Sequence, residues 1–175
     1  MGRTRGSALV LTLAIALAAC GETAVPDDTS TPDTSEPGLF AIGQPLDIWT
    51  EIFTRGDGVD EAVTAFADSS ANPTLFTDED AWNQWLVTLP DTLKNKGNRF
   101  EVDFAADAVV AGAYPDCGAT PAVIHHGGGG ELEFLVGYDQ EIVCEMTPTS
   151  LALFSVSLAD VDVAADELTL RDVEV

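Results

Sequence analysis

The sequence predicts a mainly β domain, α+β with one short helix, built as an antiparallel β-sandwich or open barrel behind a signal peptide and a disordered linker. Three observations predict it. From Phe100 to Val173, short apolar or alternating runs recur at near-regular spacing between turn residues. One helical pattern, Trp82, Trp85, Leu86 and Leu89, precedes them. Of the 175 residues, 46% are hydrophobic, enough for a core, and the stretch from residue 39 to 175 suits one domain.

The charge narrows the function. With 30 Asp+Glu against 7 Lys+Arg, the formal charge is -23. Nucleic acid is excluded as a partner, because binding it requires basic groups that displace counterions from phosphate. Electrostatic docking on anionic lipid is excluded on the same ground. Three Cys and two His leave little material for a zinc or iron–sulfur centre.

Arg3 and Arg5 open the chain, and Ala8 to Ala19 is an uncharged, largely apolar run. A spanning helix needs about 20 such residues, so this run is too short to span and has the layout of a secretory signal. It ends in Leu17-Ala18-Ala19-Cys20, followed by Gly21. That segment resembles a bacterial lipobox. The resemblance implies cleavage of residues 1–19 and diacylglycerylation of the Cys20 thiol. The membrane is then a partner through the lipid anchor on Cys20, with the protein on the extracytoplasmic side of the cell membrane. Acyl chains contribute about 0.8 kcal/mol per buried CH₂, so two or three of them hold stably. Cleavage removes Arg3 and Arg5 and leaves 5 basic residues against all 30 acids, a side-chain charge of -25. Such a density repels an anionic surface and keeps the head solvated.

Residues 20–38 form the lipidated N-terminus and an acidic linker. GETAVPDDTSTPDTSEPG contains no Lys, Arg or aromatic residue and cannot bury enough apolar surface to offset its ordering entropy. At about 3.3 Å per residue it reaches at most roughly 60 Å.

Within the 39–175 domain, Leu46, Ile48, Thr50 and Ile52 alternate with Asp47, Trp49, Glu51 and Phe53, a strand pattern. Gly56-Asp57-Gly58 is turn chemistry, and Val59 to Ala67 reads as a second strand closing a hairpin. Thr77 caps the helix, with Asp78, Glu79 and Asp80 at its positive end and Pro90 stopping it. Trp82 and Trp85 at i, i+3 read as a packing stripe rather than a carbohydrate platform. Lys94 to Arg99 reads as a solvated turn. The expected strands that follow are Phe100–Phe104, Val109–Ala113, Pro121–His126, Glu131–Tyr138, Glu141–Thr147, Leu151–Leu158 and Glu167–Val173, with a four-glycine turn at Gly127–Gly130.

Once Cys20 is acylated, Cys117 and Cys144 remain, and an even count in an exported chain predicts a disulfide. Other chemistry is sparse. Neighbours on a strand point to opposite faces, so His125 and His126 do not chelate one ion together. Gly127–Gly130 lacks the Lys-Ser/Thr of a phosphate loop. Asp57, Asp60 and Glu61 flank a glycine turn without the spacing of an EF-hand. No nucleophile elbow or HExxH helix is present, so the expectation is no catalytic residue, no metal and no cofactor.

Trp49 on an early strand, Thr77-Asp78-Glu79-Asp80-Ala81-Trp82 before a helix, Val102-Asp103-Phe104, the Val109-Val110-Ala111-Gly112 strand and a Gly-rich turn follow one another in order. This order resembles the C-terminal domain of the protease-complex subunit PrcB, over roughly residues 46–160. In place of that family's Thr-Gly-Gly-Tyr segment stand Ala113-Tyr114-Pro115-Asp116-Cys117-Gly118 and His125-His126-Gly127. The resemblance implies stabilisation of a protease or another protein contact, not catalysis. The expected function is thus a surface-tethered, non-enzymatic module that binds or stabilises an envelope protein. The alternative is an envelope hydrolase or a calcium- or carbohydrate-binding protein.

Overall fold

The computed structural model describes residues 40–51, 58–139 and 141–171. Cys20, the leader, the linker, Ile52 to Asp57 and Val173 lie outside the described residues.

Strand β4 (Asp107–Pro115) and strand β7 (Thr149–Ser157) pair antiparallel along their whole length, from Asp107↔Ser157 to Pro115↔Thr149. Both are apolar at consecutive positions because the sheet they centre is covered on both faces. β2 (Gln44–Thr50) flanks β7 and β3 (Thr74–Phe76) flanks β4, giving the order β2-β7-β4-β3. Val109, Ala111, Leu151 and Leu153 face the helices, while Ala108, Val110, Ala152, Phe154 and Val156 face a second sheet. That sheet has the order β1-β5-β6-β8, with β1 at Phe40–Ala41, β5 at Ala119–His125, β6 at Glu131–Tyr138 and β8 at Thr169–Leu170. β5 and β6 form an antiparallel hairpin, while β8 runs parallel to β6. The two-sheet, mainly β class expected from the sequence is what the chain forms.

The helical content exceeds the one helix expected. Val59–Ala67 is helix α1, not a strand, and no hairpin joins it to β2, whose partner is β7. Val59, Ala62, Val63 and Phe66 stand at i, i+3, i+4 and i+7 and turn one face to the core. Helix α2 (Glu79–Leu86) lies where expected, but its cap is Asp78 rather than Thr77: Asp78 Oδ1 accepts from Ala81 N at 2.7 Å. Pro90 does not stop α2. It precedes helix α3 (Asp91–Gly97), whose carbonyls at its start accept the first helical bonds, so Lys94 and Lys96 belong to a helix and not to a turn. A short α4 (Leu158–Val161) and a 3₁₀ turn at Ala165–Glu167 lead into β8.

Two other expected strands are absent among the described residues. Phe100–Phe104 pairs with no strand. Phe100, Val102 and Phe104 instead pack against the aromatic cluster under the helices. Glu141–Thr147 is an irregular loop. In the cluster, Trp49 stacks on Trp85 with centroids 6.1 Å apart, Trp82 lies 5.1 Å from Trp85, and Phe76 meets both. Trp82 is buried, so the tryptophan pair serves packing, each ring contact contributing about 0.5–1.5 kcal/mol beyond area burial.

Candidate functional site

The two sheets do not close against each other along one edge. In the central sheet, β3 covers β4 only from Val109 to Ala111. In the second sheet, among the described residues, β8 pairs with β6 at Glu131 and Leu132 alone. Beyond both short strands, the far ends of β4 and β6 leave an open groove of about 350 Å³, lined by Asn72, Pro73, Ala113, Tyr114, Pro115, Phe134, Leu135, Val136 and Tyr138. The floor is set by close approach of the sheets. Gly112 lies under the Phe134 ring, and a Cβ there would stand 2.5 Å from three ring carbons.

One wall of the groove is sealed. Asn72, ahead of a cis bond to Pro73, places its side chain where β3 would have continued. Its Oδ1 accepts from Ala113 N at 2.9 Å and its Nδ2 donates to Ala113 O at 3.4 Å. Behind Tyr114 sits a polar knot. Ser150 is fully buried, with its Oγ 2.8 Å from Asp116 Oδ2 and 2.8 Å from Thr50 Oγ1. Its single proton goes to the carboxylate, and it accepts from Thr50. Burial and the Asp116 charge push the Tyr114 hydroxyl above its ordinary pKa, against the opposing effect of its hydrogen bond with Ser150. With no solvent access, Ser150 is an anchor and not a nucleophile.

Beyond Tyr138 the chain enters the loop of residues 139–148, pinned by the Cys117–Cys144 disulfide with Cα atoms 5.9 Å apart. The bond joins this loop to the β4–β5 turn, rather than to a strand as expected. Ile142 packs over Gly118. Tyr138 at the end of β6 lines the groove and is 54% exposed, and the loop that follows it exposes Ile142 (48%), Val143 (92%) and Met146 (67%). Asp139, Glu141 and Glu145 stand among these residues in the sequence.

The features singled out by sequence do not converge here, apart from Tyr114 and the two cysteines. Ala119 pairs with Tyr138 while His125 pairs with Leu132, so the His125–Gly130 turn lies at the opposite end of the second sheet, about 20 Å away. There His125 Nε2 donates to Gly129 O, and His126 Nε2 donates to Glu133 Oε2 at 2.6 Å. The four-glycine turn is a docking point. Gly130 O accepts from Thr169 N, and the missing Cβ lets the Glu167 carbonyl approach within 2.5 Å of where it would stand. Of the carboxylates considered for calcium, Asp57 lies outside the described residues and Glu61 is exposed. Among the described residues no donor meets the buried Oδ1 of Asp60, and no group of three His, Cys, Asp or Glu is placed to hold a metal ion. No helix among them is long and apolar enough to cross a membrane.

The groove and the exposed loop were not legible beforehand, because they depend on which strands stop short. The partial signal was Ile142, Val143 and Met146 in a segment so acidic. No protein-family model matches the chain, and no curated protein or solved structure matches it either.

Proposed function

We propose that this chain is a lipoprotein held at the cell membrane by acylated Cys20, on the extracytoplasmic side, whose β-rich head binds or stabilises another envelope protein without catalysing a reaction. The observation that carries this reading is the groove between β4 and β6 together with the exposed Tyr138, Ile142, Val143 and Met146 beside it. An apolar surface rimmed by polar groups is the usual mark of a protein contact. In a chain of charge -23, where single exposed apolar residues would already be well solvated by their neighbours, the clustering itself is the signal. The resemblance to the PrcB C-terminal domain, which implies protein contact, points the same way.

The test is photo-cross-linking in intact cells, with a benzophenone amino acid at Val143 of the full-length protein. A discrete adduct with one envelope protein is expected. It should disappear when Tyr138→Asp and Met146→Asp are added. Absence of any adduct at Val143 and at Tyr138 would overturn the binding reading. For the anchor, Cys20→Ser should abolish acylation and move the protein from the detergent phase to the aqueous phase. Wild-type protein found wholly in the aqueous phase would refute the lipid anchor.

A further inference from the structure

Beyond Leu132 the backbone of β6 has one side that no described strand covers, and three bonds identify it. Gly130 O and Leu132 O accept from Thr169 N and Arg171 N of the β8 segment, at 2.9 and 2.8 Å, while Glu131 O accepts from His126 N on the β5 side. Alternate residues of a strand turn their N–H and C=O groups to the same side. The backbone groups of Phe134, Val136 and Tyr138 therefore turn away from β5, along the edge that β8 leaves at Leu132. Among the described residues no strand pairs with them. Across the groove, Ala113 offers nothing, since the Asn72 side chain holds both its N–H and its C=O. The groove thus has one hydrogen-bonding wall and one apolar wall.

We infer that the groove takes an extended segment of a partner protein, added as a strand to the Phe134–Tyr138 edge, with apolar side chains at alternate positions and Lys or Arg between them. The inference rests on the protein-binding reading and names the partner's chemistry. A strand laid on this edge sends every second side chain inward, over Tyr114, Phe134 and Val136. The intervening side chains stand on the outer face over Leu135 and Gly137, with Glu133 at one end of the edge and Asp139 at the other. Arg171, whose N–H bonds Leu132 O, stands at the β8 end of the edge, but no Lys or Arg occurs between Arg99 and Arg171, so beyond that end the charges a partner's cations meet are Glu133 and Asp139 in a head of strong net negative charge. An acidic strand of the same shape is repelled.

The test uses the full-length protein in detergent micelles and a fluorescent, alternating Val-Lys peptide about eight residues long. Saturable binding is expected, weaker by about tenfold or more for the alternating Val-Glu peptide, for the Val-Lys peptide N-methylated at alternate residues, and for the Val136→Pro protein. Proline is tolerated on a free edge, and the N-methylated peptide probes the same bonds on the unaltered protein should that variant not fold. Peptide should also slow hydrogen exchange at the Phe134, Val136 and Tyr138 amides. Equal binding by these controls, or no binding of the Val-Lys peptide, overturns the inference. So does protection of the three amides in the free protein, whether independent of concentration, which assigns the edge to residues 172–175 of the same chain, or dependent on it, which assigns it to a second copy. If strand addition fails while the Val143 adduct persists, the protein-binding reading stands without it. If the adduct is absent and the peptide binds, the edge is competent but the envelope-partner reading fails.

Discussion

Gly112→Ala tests the contact that sets the spacing of the two sheets. The new Cβ would stand 2.5 Å from Cε1, Cε2 and Cζ of Phe134. Carbon atoms rest about 3.5–4.0 Å apart, so the ring must withdraw by about 1 Å or more. It has little room to do so, being 5% exposed and lying between Tyr114 and Phe154, with ring centroids 6.4 and 6.2 Å away. Overpacking of this kind costs about 1–3 kcal/mol. Replacing a strand glycine by alanine recovers roughly 0.5–1 kcal/mol by restricting the unfolded chain. The packing loss wins, and the expected net change is about 1–2 kcal/mol of destabilisation, larger for Gly112→Val. For a domain of this size that lowers Tm by about 4–10 °C. Thermal and urea unfolding can be followed by tryptophan fluorescence, since Trp49, Trp82 and Trp85 lie on the far face of the central sheet. In a Phe134→Leu background the alanine should cost much less, leaving a coupling of about 1 kcal/mol. A neutral or stabilising Gly112→Ala, or strict additivity with Phe134→Leu, would refute the argument.

Two further outcomes follow from the geometry. Reduction should add two hydrogens to the intact mass, and Cys117→Ser with Cys144→Ser should lose about 3–4 kcal/mol for a closed loop of this length, where the paired residues are 27 apart; an unchanged mass and unfolding midpoint would contradict the pairing. At Glu51, burial raises the carboxyl pKa, but hydrogen bonds from Thr64 Oγ1 and Thr149 N outweigh it and hold the group below its usual range. A lowered folded pKa stabilises the fold above the ordinary carboxyl range, and that contribution is lost as pH falls through the lowered value. Glu51→Gln should therefore lower the urea midpoint at neutral pH and flatten its fall toward acid, whereas parallel curves for wild type and variant would rule this out.

How much of this could be read from the sequence depended on whether the pattern was local. Glu131–Tyr138 was legible residue for residue, because alternation and flanking turns bound it on both sides. The apolar runs of β4 and β7 were legible as buried strands, though their pairing with each other was not. Val59–Ala67 misled because Ala65 and Ala67 mimic a two-residue period, and a Gly-Asp-Gly turn ahead of it suggests a hairpin. Its helical stripe is equally present, and the tertiary need to cover Val109 and Leu151 decides between them. Phe100, Val102 and Phe104 alternate like a strand, yet they pack as a loop against the aromatic cluster under the helices, and that burial rather than strand pairing satisfies them. The groove was hidden for a different reason: it is made by where β3 and β8 end, and a strand's end registers in sequence only through the partner it lacks.

The pairing of β2 with β7 sets the order in which the head can be completed. Thr50 and Ser150, which meet across that pair, are 100 residues apart in the chain. A chain that emerges from its N-terminus first presents β2, and with it Trp49, long before its neighbour exists. Through that interval α1, α2 and α3 have no finished sheet to cover, because β4 too awaits β7. Such non-local contacts slow folding and keep unpaired edges and apolar surface open to wrong associations. The head is therefore made late and all at once. A chain stopped before Thr149 should yield no stable part of it, and its acidity then serves a second purpose, holding incomplete chains apart until the last long strand arrives.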